Sequence, residues 1–417
     1  MTQIADPCAE AGARLLTLDA ALHRIVASLE PLQDRERVVL GQAHGRILAQ
    51  EIVAKLDIPG FANSAMDGYA FHHADVQQAQ TAGLELSGAS FAGHPHPDAC
   101  KPGTCIRIFT GAALPEGADT VVMQEKVEIV DGRMVLHAEV KPGENVRPAG
   151  DEARAGASLL KRGKRLNAAD LGLLAASGIE DILVARKLRV AYFSTGDELR
   201  PVGRTLSYGE IHDSNRYTLA ALLQNPYLEA LDLGVVRDDP DAVKRTLIEA
   251  SELADVIVST GGVSVGEADF VSGALAELGQ VGFWKLAIKP GKPLAFGQIG
   301  KAYFFGLPGN PIASIVTFWQ LVRPALLCLA GTQTPRPVRI RATCESHLKK
   351  APGRMEFQRG YFQCDDKGDL TVSISGRQGS HQLLSISAAN CLIVLPAEST
   401  GVEPGAEVLI EPLQEPW

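Results

Sequence analysis

Apolar positions along the chain change their period several times, and those changes divide it. Over 15–30 they recur at helical spacing. Leu18, Leu22, Ile25, Val26 and Leu29 share one face, Thr17 stands at the cap position and Pro31 follows the end. A second helical stretch is predicted around 43–53. From about 56 to 150 the runs become short and alternating between Gly and Pro turns, as in Gly83-Leu-Glu-Leu-Ser-Gly88 and Met134-Val-Leu-His-Ala-Glu-Val140, which predicts a β-rich insert. Helical spacing returns at Asn167-Ala-Ala-Asp170, and Gly178 stops it.

From Leu188 strand and helix patterns alternate. Strands are predicted over 188–193, 231–236, 256–259, 282–287 and 301–306. Helices are predicted over 214–223, from Pro240, over 270–278 and from Pro311. This alternation predicts a three-layer α/β domain on a parallel sheet, with ligands at the carboxyl ends of its strands. After Thr332-Gln-Thr-Pro335 the period returns to two, as in Leu370-Thr-Val-Ser-Ile-Ser375. The expected division is a discontinuous helical linker domain (1–55 and 151–186), a β-rich inserted domain (56–150), an α/β domain (187–332) and a small C-terminal β domain (333–417).

Length agrees with several domains, since 417 residues exceed one ordinary core. The composition is 46% hydrophobic and 21% charged, that of a soluble globular protein. A formal net charge of −9 argues against a nucleic-acid binder, which needs a basic surface. Seven scattered cysteines without a Cys-x-x-Cys pair fit reduced thiols in a cytoplasmic protein. Cys100 and Cys105 near His94 and His96 lack metal-ligand spacing. The first residues do not read as a signal peptide. The apolar run 312–330, broken by Gln320, Arg323 and Pro324, reads as a core helix rather than a membrane span.

Candidate chemistry lies just after the predicted strands. Ser194-Thr-Gly-Asp-Glu198, Asp238 with Asp239, Ser259-Thr-Gly-Gly-Val-Ser-Val-Gly-Glu-Ala-Asp269, Lys289-Pro-Gly-Lys-Pro293 and Gly306-Leu-Pro-Gly-Asn-Pro311 would share one rim. Glycines let the backbone approach phosphates, lysines supply charge, and Glu198, Asp238, Glu267 and Asp269 can hold a divalent cation on the same oxygens. No Walker A or early Gly-x-Gly-x-x-Gly pattern is present, which excludes an ordinary nucleotide site. Asp213 and Asp239 read as helix caps. Ser264 and Ser314 lack a nearby His and do not read as nucleophiles. His94, His96 and His212 read as surface or turn residues.

These motifs, with Pro59-Gly-Phe-Ala-Asn-Ser-Ala-Met-Asp-Gly-Tyr-Ala70 and Arg107-Ile-Phe-Thr-Gly111, resemble in their order the molybdopterin molybdenumtransferases, the MoeA family that includes the E domain of gephyrin. The resemblance covers essentially the whole chain. It implies insertion of molybdate into adenylylated molybdopterin with release of AMP, by an elongated four-domain homodimer. The α/β domain would bind the pterin, and the β insert of the other subunit would complete the cleft.

Carried over, Glu198, Asp238 and Asp269 would bind Mg²⁺ or position the phosphoanhydride, with Thr110 and Asp67 as further catalytic positions. Ser194, Thr195, Gly196, Asp197, Ser259, Gly261, Gly262, Ser264, Gly266, Pro308, Gly309, Asn310 and Pro311 would shape the pterin-phosphate turns. Lys289, Lys292, Arg354 and Ser380 resemble the molybdate-binding set. The adenylyltransferase of the pathway and molybdoenzymes are the implied protein partners. Two positions depart from the common pattern: Ala62 where relatives carry Asp, and Gly150-Asp151-Glu152 where Gly-x-Asp is usual. Asp67, Asp151 and Glu152 are the candidate substitutes, and Ala62 is expected not to abolish activity. Two other readings are a non-catalytic scaffold or cofactor store, and a nucleotide-processing enzyme of the competence-damage type. The latter lacks the 63–70 motif.

Overall fold

The computed structural model describes residues 15–262, 270–332 and 337–413. The chain forms two compact units. The smaller comprises Gln50–Arg162 and Ala168–Asp181; the larger comprises the remainder.

The larger unit is built on a six-stranded sheet. Its strands are β1 (Leu188–Thr195), β2 (Leu228–Val236), β3 (Val256–Thr260), β4 (Gly279–Lys285), β6 (Pro293–Ile299) and β7 (Ala302–Leu307), with a short β5 (Ile288–Lys289) between β4 and β6. The spatial order is β2-β1-β3-β7-β6-β4. β1 is buried along its length apart from Arg189, as a strand covered on both faces must be. Its alternate residues enter different cores. Val190 and Tyr192 join the cluster of Val258, Phe305 and Ile312, while Ala191 and Phe193 join Ile257, Leu247 and Leu275. Helices α1 (Asn215–Leu222) and α4 (Pro311–Leu329) contribute to the first cluster, α2 (Pro240–Leu253) and α3 (Phe270–Leu278) to the second. This is the three-layer arrangement the alternation predicts.

The sheet is not wholly parallel. β1, β2, β3 and β7 run parallel, but β6 is antiparallel to β7 and β4 is antiparallel to β6. The periodicity leaves β6 unpredicted, because Pro293 and Gly297 break its apolar run. Two reversals restore direction, so the carboxyl end of β4 still reaches the rim reached by β1, β3 and β7.

Among the described residues α4 is the one helix long and apolar enough to cross a membrane, and 83% of its apolar window is buried inside the protein. It contains a π turn at Phe318–Val322 ahead of Pro324. Proline offers no N–H to the helix ladder, and a widened turn is one way to absorb that loss.

The C-terminal strands close a small barrel. Met355–Cys364 (β8) pairs with Leu370–Ile374 and Cys391–Leu395, and the ring closes through Glu407–Pro412 and Ile340–Cys344. β5 adds to β8 in parallel, with Lys289 opposite Glu356.

The helix predicted around 43–53 does not form. Gly45 there adopts φ +72°, Ile47 and Leu48 bridge to Arg165 and Val184, and Ile52–Val53 forms a strand with Ser158–Leu160. β-branched residues and a left-handed glycine override the helical spacing. The helix predicted from Thr17 does form, over Leu18–Ser28 with the Thr17 side chain as its cap. The smaller unit holds a six-stranded, mostly antiparallel sheet made by residues 68–136, together with helix Ala168–Ala176.

Candidate functional site

An open cleft of about 810 Å³ lies on the rim of the six-stranded sheet in the larger unit. The turn after β1 supplies Thr195, Gly196 and Glu198. The Glu198 carboxylate lies over Gly196, where an added Cβ would come within 2.6 Å of Oε2. Asp238, after β2, lines the same end. Asp197 and Asp238 exchange hydrogen bonds, each backbone N–H donating to the other's carboxylate at 3.3 Å. Burial raises the Asp238 pKa, and the neighbouring charges of Asp197 and Glu198 add to the rise.

The turn after β3 shows why its glycines are needed. Gly261 and Gly262 have φ of +88° and +64°, and their Cβ atoms would lie 2.6 Å from the Thr195 carbonyl and 2.3 Å from Val271 Cγ2. Ser264, Gly266, Glu267 and Asp269 lie outside the described residues. The turn after β7 presents Pro308, Gly309, Asn310 and Pro311. Asn215 donates to the Gly309 carbonyl at 2.8 Å, and Ile312 N–H donates to the Ser380 carbonyl at 3.1 Å. That second bond pins the Ser380 segment to the start of α4.

Part of the lining is cationic. Lys289, Lys292, Arg354, Arg359 and Ser380 form it, together with Glu356. Lys289 Nζ donates to Glu356 Oε1 at 3.1 Å. Arg359, 1% exposed, donates to Ser385 Oγ and to the carbonyls of Arg377 and Gly379. Among the described residues it forms no salt bridge, and burial lowers its pKa to about 10.

The cleft thus brings together fourteen of the residues singled out from sequence: Thr195, Gly196, Glu198, Asp238, Gly261, Gly262, Lys289, Lys292, Pro308, Gly309, Asn310, Pro311, Arg354 and Ser380. Three others stand behind or beside it. Ser194 and Ser259 are fully buried, and Ser194 donates to Asp213 Oδ1 at 3.1 Å; Asp197 is exposed at the edge. Thr110 and Asp67 lie in the smaller unit. There Asp67 accepts from the Thr110 N–H at 2.8 Å and its hydroxyl at 2.7 Å, contacts that lower its pKa.

Asp239 caps α2 as expected, accepting from Ala242 N–H at 2.7 Å. Asp213 accepts from Arg216 N–H at 3.1 Å and also lines the cleft, so it is more than a cap. Glu356 and Arg359 were not singled out from sequence. The available signal was charge inside β8, a strand buried from Glu356 to Gly360.

Among the described residues no three His, Cys, Asp or Glu side chains converge as a metal-ligand set. Glu198 and Asp238 offer two carboxylates. Carboxylate oxygens at the cleft lining are the donor type a divalent ion of the Mg²⁺ class takes.

Comparison with known proteins agrees along the length of the chain. Residues 16–178 match the MoeA N-terminal region (domain I and II), 191–327 a probable molybdopterin binding domain, and 341–413 the MoeA C-terminal region (domain IV). The chain belongs to the molybdopterin molybdenumtransferase family. It is 42% identical over 400 residues to the molybdopterin molybdenumtransferase of Haemophilus influenzae, covering 95% of this chain and 98% of that one. A Nostoc molybdopterin molybdenumtransferase is 38% identical over 397 residues, covering 93% of this chain and 91% of that one. The molybdopterin biosynthesis MoeA protein of Pyrococcus horikoshii OT3 shares the fold with a TM-score of 0.83 at 29% identity, covering 96% of this chain and all of that one. As a molybdopterin molybdenumtransferase, the chain is an enzyme of molybdenum cofactor biosynthesis.

Proposed function

We propose that the chain inserts molybdate into adenylylated molybdopterin in a Mg²⁺-dependent reaction that releases AMP. The observation that carries this reading is the make-up of one cleft, whose lining combines carboxylates and glycine turns with four cations. Two anions must meet there. At a separation of a few ångströms they repel by several kcal/mol unless charge offsets them. Lys289, Lys292, Arg354 and Arg359 would hold molybdate, with Ser380 beside them. The turns at Gly196, Gly261 and Gly309 would take the phosphates. The proline-flanked Lys289 loop keeps its lysines ordered before the anion arrives, which lowers the entropy lost on binding.

Glu198 and Asp238, with Asp269, would hold Mg²⁺. Bound there, it would neutralise the phosphoanhydride and polarise the bond that breaks. We assign no general base, since molybdate or water can attack the activated anhydride directly. A cytoplasmic homodimer, with Asp67 and Thr110 reaching the neighbouring subunit's cleft, belongs to the same reading. So do encounters with the pathway's adenylyltransferase and with molybdoenzymes.

The test supplies purified protein with adenylylated molybdopterin, Mg²⁺ and molybdate and follows AMP. Release that ignores molybdate refutes insertion, and binding without turnover favours a scaffold or cofactor store. Lys289→Ala combined with Lys292→Ala should weaken molybdate at least about tenfold more than the pterin, by loss of charge-assisted bonds. Equal losses would show that the lysines read the phosphate.

A further inference from the structure

Glu356 is a carboxylate in a wall that receives anions, and its surroundings make it more than an accident of packing. The parallel pairing of β5 with β8 sets Lys289 directly opposite Glu356, and Met355 N–H donates to the Ala287 carbonyl at 2.9 Å beside them. The Glu356 side chain is 7% exposed while that of Lys289 is 50% exposed. The carboxylate is therefore fixed and dry, and its cation reaches into the cleft. One carboxylate oxygen accepts from both Lys289 Nζ and Gln358 Nε2, each at 3.1 Å, and Gln358 is tied in turn to the Lys349 carbonyl at 2.9 Å. The Glu356 charge is also felt by buried Arg359 and Lys350.

We propose that Glu356 is a positioning residue that acts as the resident counter-anion of Lys289. It keeps the ammonium aimed into the cleft, and Lys289 transfers part of its attraction to the incoming tetraoxoanion. Glu356 therefore sets how tightly that anion is held. This rests on the molybdate reading given above. Four cations without a carboxylate among them would hold a dianion in the ground state without speeding its transfer.

The experiment measures molybdate binding to the full chain by calorimetry, alongside AMP release. Glu356→Gln keeps the shape and an acceptor oxygen but removes the charge. It should bind molybdate about tenfold more tightly, with a matching fall in the molybdate KM and no rise in kcat. In a Lys289→Ala background the same change should alter affinity less than about threefold. Glu356→Asp, its carboxylate set back from Lys289, should fall between wild type and Glu356→Gln, and it is the variant read if Glu356→Gln does not fold. Folded variants with unchanged or weaker molybdate binding overturn the proposal, as does an equal effect in the Lys289→Ala background. Wild-type protein that binds no molybdate overturns both this inference and the reading beneath it; binding that ignores Glu356 overturns this inference alone.

Discussion

Arg359 carries a charge into the wall of the cleft where almost none of it meets water, and its guanidinium partners are a hydroxyl and two carbonyls. Such a charge is costly unless an anion answers it. Arg359→Met should therefore weaken tetraoxoanion binding by about 1.5–3 kcal/mol, the size of a charge-assisted hydrogen bond, as read by calorimetry. Lys289 and Lys292 were legible in the sequence because their loop is punctuated by Pro and Gly. Arg359 was not, because charges in a buried strand break the alternation that makes strands readable. Arg354, singled out instead, does line the cleft, but only partly buried. Asp67 and Thr110 stand in two separate motifs of the sequence, and it is the fold that joins them by two hydrogen bonds.

At the scale of elements, the glycine turns are specified by packing as much as by ligand. Gly261→Ala would place a methyl against the Thr195 carbonyl in a left-handed backbone. It should cost roughly 2–4 kcal/mol in urea unfolding, combining backbone strain with overpacking. Gly209→Ala is the control. Gly209 has φ +91° with open space around it, so the loss should stay near about 1 kcal/mol. Equal losses at the two sites would mean that the crowding at Gly261 relaxes. The βα alternation was readable because doubly covered strands are continuous apolar runs. The β6–β7 hairpin was not, since Pro293 and Gly297 mimic a loop. The rim nevertheless fell where expected, because two reversals leave β4 pointing the same way as β7.

At the scale of the whole molecule, residues distant in sequence are tied by one ionic knot. Arg186 makes two bonds to Asp255, of 2.8 and 2.7 Å, and a third to Asp34 at 3.0 Å, while Arg189 N–H also donates to Asp255. Burial would raise the Asp255 pKa, but these partners outweigh it and hold the pKa below its ordinary value of 3.8. A carboxylate depressed on folding stabilises the native state above its ordinary pKa and loses that contribution as pH falls through the folded value. Asp255→Asn should thus cost about 2 kcal/mol at pH 7, and the gap to wild type should close progressively below pH 3.8 in urea titrations. Such a knot joins charges whose partners are set only by the fold, so periodicity gives no sign of it.

The pairing of β5 with β8 has a consequence for dissecting the protein. Lys289 is borne on a loop of the α/β layer but takes its register from the barrel. A fragment ending before Ile340 would retain all six strands of the central sheet and the glycine turns, yet it would lose the template that aligns the lysine, along with Arg354 and Arg359. The glycine turns thus belong to the α/β layer alone, whereas the cationic part of the lining exists only where that layer is joined to the barrel.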